Sequence, residues 1–315
     1  MARDAFTNPA VIERVNQFVP VKINGRKDFV GPAIATFYKV PGYPTFIVLD
    51  AAGAEVDRKV AFLKSDELLA WTGSVQKGEN TFSAAEAAYK KNVDDPAVAA
   101  AYAAKLNEKG EAGALPIYEK LAANDPENKA GYLEDSLSAM ADAARMNKDN
   151  AAVETHLLRL IQVGRKPDSL SAGYHGMARI RFRAWKKAAG ADKKKLADEC
   201  VMFQRTLTEK LPESSADYSD ALNDLAYYVI ETGGDAKLAT AAAEKAVAHE
   251  RDPFYLDTLA EMRFRAGKLD EALALQREAV AMMPQDESLA EDLKKFETEK
   301  ANRAKPGKPA KAAGK

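Results

Sequence analysis

Residues 39–50 carry the sequence KVPGYPTFIVLD, and the neighbouring segments are best understood from this stretch outward. Thr45 to Leu49 form a short apolar run rich in β-branched and aromatic residues, which predicts a strand buried on both faces. Pro44 comes just before that strand, where a missing backbone N–H costs little. Two prolines and a glycine in four positions demand a tight turn, and cis X–Pro bonds favour such turns. The Tyr43–Pro44 bond is therefore a candidate for the cis form.

The segments on either side also have defined patterns. Asn8 and Pro9 are typical of a helix N-cap followed by a first-turn proline. Ala52-Gly53 is a hairpin turn signal, and Ser65 is a candidate N-cap. In order, the patterns predict a helix within residues 1–17, a strand at Phe18–Ile23, a helix at Phe29–Tyr38, a returning strand at Glu55–Phe62 and a helix from Ser65 onward.

This order of elements, with Val40, Gly42, Pro44 and Thr45 in line, resembles the thioredoxin-like superfamily over roughly residues 1–75. The resemblance implies a cis-proline loop that precedes a buried strand. It also implies that Tyr43, Pro44 and Thr45 bind an extended polypeptide substrate. The alternative is an unrelated buried strand behind a proline-rich turn.

The chain departs from this family at its catalytic motif. The family's C-x-x-C pair has no counterpart, because Cys200 is the only cysteine, and an internal disulfide is excluded. Residues 1–6 resemble the stretch that follows C-x-x-C, and a central strand of the family is missing. Unpaired buried backbone groups cost about 1–3 kcal/mol each. We therefore expect either that two flanking strands pair directly or that the reading frame extends upstream of Met1 and encodes C-x-x-C, which the upstream genomic sequence tests.

The composition changes after residue 82, where alanine becomes dense and Asp–Pro pairs recur. The clearest helical hairpin runs from Tyr255 to Pro284, and another precedes it. Ala246 and Ala279 are separated by 279 − 246 = 33 positions, close to the roughly 34 of the tetratricopeptide repeat (TPR), which this pattern resembles. A third match consists of Tyr102, Gly110, Ala114, Tyr118 and Pro126, and divergent helices are predicted near 130–147, 150–164, 170–188 and 192–211. The alternative is a generic helical bundle.

The predicted fold is therefore an α+β thioredoxin-like N-terminal part with a partial sheet, followed by an all-α TPR-like helical repeat array. The predicted boundaries are a partial domain at 1–75, a polar hinge at 76–82, repeats at 83–300 and a disordered basic tail at 301–315. The tail lacks acidic residues from Asn302 onward and cannot bury apolar area. It is either a solubilising segment or a weak contact for anionic partners.

Charge and hydropathy exclude two classes of partner. The chain has 46 Lys and Arg against 47 Asp and Glu, so its formal net charge of -1 creates no field that attracts nucleic acid. No apolar run approaches the roughly 20 residues of a membrane span. We predict no nucleic-acid partner, no membrane span and a cytoplasmic location for the chain as it stands, or an exported one if an upstream segment exists.

Candidate chemistry is sparse. The three histidines are isolated and lack metal-ligand spacing. Cys200 is either a buried, inert thiol or a redox sensor. A basic stretch is either a solvated face or a phosphate-binding patch; it comprises Arg179, Arg181, Arg183, Lys186, Lys187, Lys193, Lys194 and Lys195. We predict no catalytic residue, metal or cofactor.

Two functions remain open at this stage. In the first, the chain is a thioredoxin-family protein of the thiol–disulfide exchange lineage, and it is inactive as written because the C-x-x-C segment is missing. Alternatively, it is a non-catalytic TPR interaction scaffold with a vestigial thioredoxin-like piece. Its expected partners are proteins or peptides, bound through the TPR-like groove and the cis-proline loop.

Overall fold

The computed structural model describes residues 6–26, 29–60 and 62–304. Within these ranges the chain forms fifteen helices and two strands. The residues divide into two compact units, one up to Val153 and the other from Glu154. The chain is thus mostly helical, with one small sheet near its beginning.

The first unit begins with two short helices, α1 (Pro9–Val15) and α2 (Gly31–Phe37). The Asn8 side chain accepts a hydrogen bond of 3.0 Å from the Ala10 N–H, and Pro9 occupies the first turn. This cap confirms the predicted start of α1. Pro9 fits the first turn because the N–H groups there have no partner within the helix, so the missing N–H of proline costs little.

The sheet consists of β1 (Phe46–Leu49) and β2 (Glu55–Lys59), which pair antiparallel from Phe46 opposite Lys59. In the connecting turn, the Asp50 carboxylate accepts hydrogen bonds of 2.9 Å from the N–H groups of Ala52 and Ala54. The Tyr43–Pro44 bond is cis, as predicted.

The described residues do not form a thioredoxin-like sheet. The predicted strand at Phe18–Ile23 is wrong: these residues form no strand, and Val19 and Val21 are 90% and 74% exposed. The prediction that β1 is buried on both faces is also wrong, because its first three residues are half-buried and Leu49 is 40% exposed. A two-stranded sheet leaves each strand with one neighbour, so it cannot enclose a central strand.

Helix α3 (Ser65–Lys77) packs on α1 through the buried side chains of Val11 and Leu68. Ser65 is its first helical residue and not its N-cap, and the Lys64 N–H donates to the Glu67 carboxylate at 2.8 Å. Gly78 ends α3 in the left-handed conformation. The predicted hinge at 76–82 therefore begins inside α3, and the domain division there stays a prediction.

Four further helices complete the first unit: α4 (Phe82–Lys91), α5 (Pro96–Glu108), α6 (Ala114–Asn124) and α7 (Tyr132–Met146). They pack consecutively, α4 on α5, α5 on α6 and α6 on α7. Ala114 and Tyr118, from the third predicted repeat match, are buried in their core.

Buried charges attach β2 to α5. Asp57 is 1% exposed and accepts hydrogen bonds from Lys105 Nζ at 2.8 Å and from Trp71 Nε1 at 2.7 Å. Lys59 forms an ion pair with Glu108 on the last turn of α5. The N-terminal segment is therefore held against the first helical hairpin by paired, largely desolvated groups.

The boundary between the two units falls within α8 (Asn150–Val163). Seven helices follow in the second unit: α9 (Pro167–Lys187), α10 (Gly190–Lys210), α11 (Tyr218–Glu231), α12 (Ala236–His249), α13 (Pro253–Arg265), α14 (Leu269–Met282) and α15 (Glu287–Ala304). They form the hairpins α9/α10, α11/α12 and α13/α14, and α15 packs on α14. The predicted helices at 150–164, 170–188 and 192–211 are confirmed within a few residues.

Alanines occupy the crossings of these paired helices. Ala243, Ala246, Ala272 and Ala279 are fully buried. Gly233 and Gly267 end the first helices of two hairpins at φ of +76° and +78°, a conformation that glycine adopts without strain. Ala246 and Ala279, which define the predicted repeat spacing, thus both lie where paired helices approach closely. The described helices form a TPR-like array.

The last helix extends into the segment that was predicted to be a disordered tail. Residues 301–304 continue α15, so this part of the predicted disordered segment is helical. The rest of the predicted tail lies outside the described residues.

Ala272→Leu and Ala279→Leu should each lower the free energy of unfolding by roughly 1–3 kcal/mol, because neither site has room for a larger side chain. Urea denaturation of the full chain measures this. Ala281→Leu, on the exposed side of α14, is the matched control and should leave the midpoint nearly unchanged. Equal midpoints for all three variants would contradict close packing at these crossings.

Lys105→Met should lower the free energy of unfolding by about 3 kcal/mol, because it leaves the Asp57 carboxylate buried without a counter-charge. Adding Asp57→Asn removes that charge and retains an oxygen acceptor for Trp71. The double variant should therefore be more stable than Lys105→Met alone in urea melts. Additive losses from the two changes would show that the pair is not coupled.

Candidate functional site

The structure places the predicted polypeptide-binding residues in a partly exposed loop. Tyr43 is 48% exposed, and the Arg26 guanidinium lies over its ring at 5.2 Å from the centroid. The Thr45 hydroxyl donates to the Gly42 carbonyl at 2.7 Å and fixes the turn before β1. The Tyr43 ring also covers Gly25, where a side chain would not fit. The polypeptide-binding role of Tyr43, Pro44 and Thr45 stays a prediction.

A second candidate surface lies in the second unit, where the first helices of successive hairpins, α9, α11 and α13, are neighbours. Residues three or four positions apart share one side of a helix. On α11 this spacing aligns Asp220, Asp224, Tyr227 and Glu231, and on α13 it aligns Asp257 and Glu261. We call this surface the first-helix face; it consists of His175, Asp220, Asp224, Tyr227, Glu231, Asp257 and Glu261.

Polar contacts connect α9 to α11 on this face. His175 Nδ1 lies 2.9 Å from Asp224 Oδ2, and both side chains are about one-third exposed. Tyr227 is 39% exposed and its ring meets Phe182 of α9 edge-on at 5.6 Å. Burial raises the pKa of the Tyr227 phenol, which is protonated at neutral pH in any case and can donate a hydrogen bond.

Similar contacts connect α11 to α13. The Tyr255 hydroxyl donates to Asp220 Oδ1 at 2.6 Å, and Arg265 pairs with Glu231 at 3.1 Å. Burial raises the pKa of the Asp220 carboxyl, although the hydrogen bond from Tyr255 opposes this shift. Polar groups at both junctions are thus held in fixed positions by the adjacent helix.

Asp257 has the most perturbed carboxyl of the face. Burial raises its pKa to about 6; a 2.7 Å hydrogen bond from Gln276 Nε2 opposes the rise, and the nearby charges of Asp292 and Glu261 add to it. Glu261 is neutralised by Arg265 at 2.7 Å and by Lys295 at 2.8 Å. The partly exposed Asp224 carboxylate and the Tyr227 hydroxyl are therefore the groups of the face best placed to contact a partner.

Other chemistry predicted from the sequence can now be placed. Cys200 is fully buried, and burial raises the pKa of its thiol to about 12, which agrees with an inert thiol. His249 shares a 2.7 Å hydrogen bond with Ser219. Among residues 6–26, 29–60 and 62–304, no group of three His, Cys, Asp or Glu side chains could hold a metal. No described helix is long and apolar enough to cross a membrane.

Sequence reasoning missed the first-helix face. The i, i+4, i+7 spacing of Asp220, Asp224 and Tyr227 is visible in the sequence, but charged residues at that spacing normally occupy a solvated side. Their meeting with His175 and Tyr255 depends on the packing of helices that are distant in sequence.

No protein-family model matches the chain, and no curated protein is significantly similar to it. Among solved structures, it resembles a thermophilic TPR protein of Thermus thermophilus at 17% identity and a TM-score of 0.44, covering 65% of this chain and 100% of that one. A tetratricopeptide repeat protein of Parabacteroides merdae matches at 14% identity and a TM-score of 0.38, covering 92% and 99%. The TPR2AB domain of yeast Sti1, in complex with pHSP90, matches at 14% identity and 0.29, covering 72% and 92%. These three TM-scores are low, so the TPR-like arrangement is assigned from the pairing of the chain's own helices.

Asp257→Asn should increase stability at neutral pH. Because the folded pKa of about 6 lies above the ordinary 3.8, the folded state binds more protons, and ionisation lowers stability as pH rises from about 4 to 6. The variant removes this cost and retains an oxygen that accepts from Gln276. Its advantage in urea melts should be near zero at pH 4 and about 1 kcal/mol at pH 7, after allowance for partial solvent screening.

The matched control is Asp270→Asn, because Lys300 holds the pKa of the Asp270 carboxyl below its usual range. This variant should not gain stability as pH rises. An advantage of Asp257→Asn that is independent of pH would refute the assigned ionisation.

Proposed function

We propose that this protein is a non-catalytic interaction scaffold whose TPR-like helices bind a protein or peptide partner. The observation that carries the proposal is the first-helix face. There, Tyr227 is partly exposed beside carboxylates whose positions are fixed by neighbouring helices. Partly exposed tyrosine is favourable for binding because it adds a large contact area and a hydrogen-bond donor at low entropic cost.

The scaffold accounts for the chain better than thiol–disulfide exchange does. The nucleophile in such exchange is a thiolate. Cys200 is the only cysteine, and its thiol is buried with a pKa raised to about 12. A thioredoxin-like origin of residues 1–75 is a hypothesis that rests on the sequence pattern of Val40, Gly42, Pro44 and Thr45, and the strand that it predicts at Phe18–Ile23 is not formed.

The cis-proline loop is a second, separate contact in this proposal. Among the described residues, β1 pairs with β2 alone, so no described strand covers its other edge, which follows Tyr43, Pro44 and Thr45 along the chain. An extended peptide can add to such an edge. This contact predicts peptides rich in strand-forming residues, whereas the first-helix face predicts polar and cationic ones.

Phage-displayed peptides selected on the full chain test the proposal, followed by measurement of the Kd of each recovered peptide by fluorescence anisotropy. For peptides bound at the first-helix face, Tyr227→Ala should raise the Kd about tenfold or more, as expected for truncation of an aromatic contact. Tyr43→Ala should instead weaken peptides that bind the cis-proline loop.

Met282→Ala is the matched control, because Met282 is 41% exposed on α14, a second helix of its hairpin. It should leave every Kd unchanged. Failure to recover any peptide, or a Kd that is the same for wild type, Tyr227→Ala and Tyr43→Ala, would refute binding at these surfaces.

A further inference from the structure

Positive charge is concentrated around the turn between α9 and α10. Residues 179–195 contain eight Lys and Arg and one acidic residue, Asp192, so their formal charge is 8 − 1 = +7. The whole chain has a formal net charge of -1. This turn is therefore a local positive surface in a nearly neutral protein.

Two lysines of this surface are positioned by aromatic rings. The rings of Phe182 and Trp185 stack with centroids 5.3 Å apart and an interplanar angle of 10°. Lys186 Nζ lies 4.6 Å from the Phe182 centroid, and Lys193 Nζ lies 4.7 Å from the Trp185 centroid. We call this arrangement the cation–aromatic column, in the order Lys193, Trp185, Phe182, Lys186.

The column is anchored in the core. Phe182 is buried and its ring lies 4.9 Å from that of Tyr228, which is also buried. Cation–π attraction then holds each ammonium group above a ring without neutralising its charge. The two lysines are thereby ordered in advance, which lowers the entropic cost of binding an anion.

The cations divide into paired and unpaired groups. Arg181 forms ion pairs with Glu154 and Glu199. Lys194 and Lys195 lie 3.5 Å and 3.8 Å from carboxylates of their own helix. Among the described residues, no carboxylate lies within ion-pair distance of the remaining five cations, Arg179, Arg183, Lys186, Lys187 and Lys193. We call the four of these that lie nearest the turn the cationic patch: Arg183, Lys186, Lys187 and Lys193.

We propose that the cationic patch binds an acidic polypeptide segment of a partner. Charge complementarity supports this partner, because the patch presents four cations that lack carboxylate counter-charges. A single-stranded nucleic acid is disfavoured, because its bases require free aromatic faces for stacking. Phe182 is buried, and the Trp185 ring is stacked on it with the Lys193 ammonium group 4.7 Å from the Trp185 centroid, so neither ring is free.

The cationic patch shares no residue with the first-helix face, although the two adjoin, because the Phe182 ring next to Lys186 also contacts Tyr227. Arg183, Lys186 and Lys187 lie on the last two turns of α9, and Lys193 lies on the first turn of α10. Acidic segments fit the patch, whereas the carboxylates of the first-helix face repel them. Either surface can therefore fail its test while the other passes.

The test measures binding of a fluorescent oligoglutamate peptide to the full chain by anisotropy, at low and at physiological ionic strength. The test variant is Lys186→Gln/Lys187→Gln/Lys193→Gln. The control removes the same charge from exposed sites elsewhere in the second unit, as Lys210→Gln/Lys237→Gln/Lys294→Gln. Circular dichroism and urea midpoints verify that both variants fold.

The wild type should bind the peptide, more weakly at higher salt. The test variant should raise the Kd about tenfold, as expected for loss of three exposed charge contacts, and the control by less than about twofold, because it leaves those contacts intact. Equal weakening in both variants would mean that only net charge matters and would overturn the proposal. Absence of binding by wild type at low salt would overturn it as well, and so would tighter binding of a single-stranded oligonucleotide of the same charge.

Discussion

The second unit depends on the close approach of paired helices at alanine. Ala243 and Ala246 on α12, and Ala272 and Ala279 on α14, are fully buried where each helix packs against its partner. A small side chain lets two backbones approach, so that larger residues on either side of the crossing interdigitate. Leu225, Leu256 and Leu273 are buried in the resulting cores. The positions of the exposed side chains follow from these crossings.

Buried glutamines reinforce the same arrangement from one hairpin to the next. Gln204 Nε2 on α10 donates to the Ala221 carbonyl on α11 at 3.0 Å, and Gln276 Nε2 on α14 donates to the Leu289 carbonyl on α15 at 3.0 Å. Both glutamines are fully buried. Each amide N–H links the second helix of a hairpin to the helix that follows and offsets part of the cost of burying the amide, whose oxygen has no hydrogen-bond partner among the described residues. These bonds set a specific register that apolar packing alone leaves loose.

The N-terminal segment uses a different physical principle. Its small sheet has little apolar area to bury, and several of its large apolar side chains, including Phe37 and Phe62, are mostly exposed. Paired charges hold it instead, through Asp57 with Lys105 and Lys59 with Glu108. Attachment by buried ion pairs is specific but adds little stability, because desolvation offsets the Coulomb attraction. The N-terminal segment and the helical hairpins thus owe their order to different interactions.

The sequence by itself determined the elements that local interactions specify. These elements are the start of α1 at Asn8-Pro9, the tight turn before β1, the hairpin ends at Gly233 and Gly267, and the repeat spacing from Ala246 to Ala279. They were predictable because caps, turn dihedrals and helical periodicity act over a few residues.

Only the tertiary structure decided which groups meet across the chain. The apolar alternation of Phe18–Ile23 predicted a strand that is not formed, because a strand needs a partner and β1 pairs with β2 alone among the described residues. Likewise, the meeting of His175 with Asp224 and the position of Lys193 over the Trp185 ring depend on helix packing. Such contacts between residues distant in sequence, or on different helices, have no local signature, so the candidate binding surfaces became visible only in the folded chain.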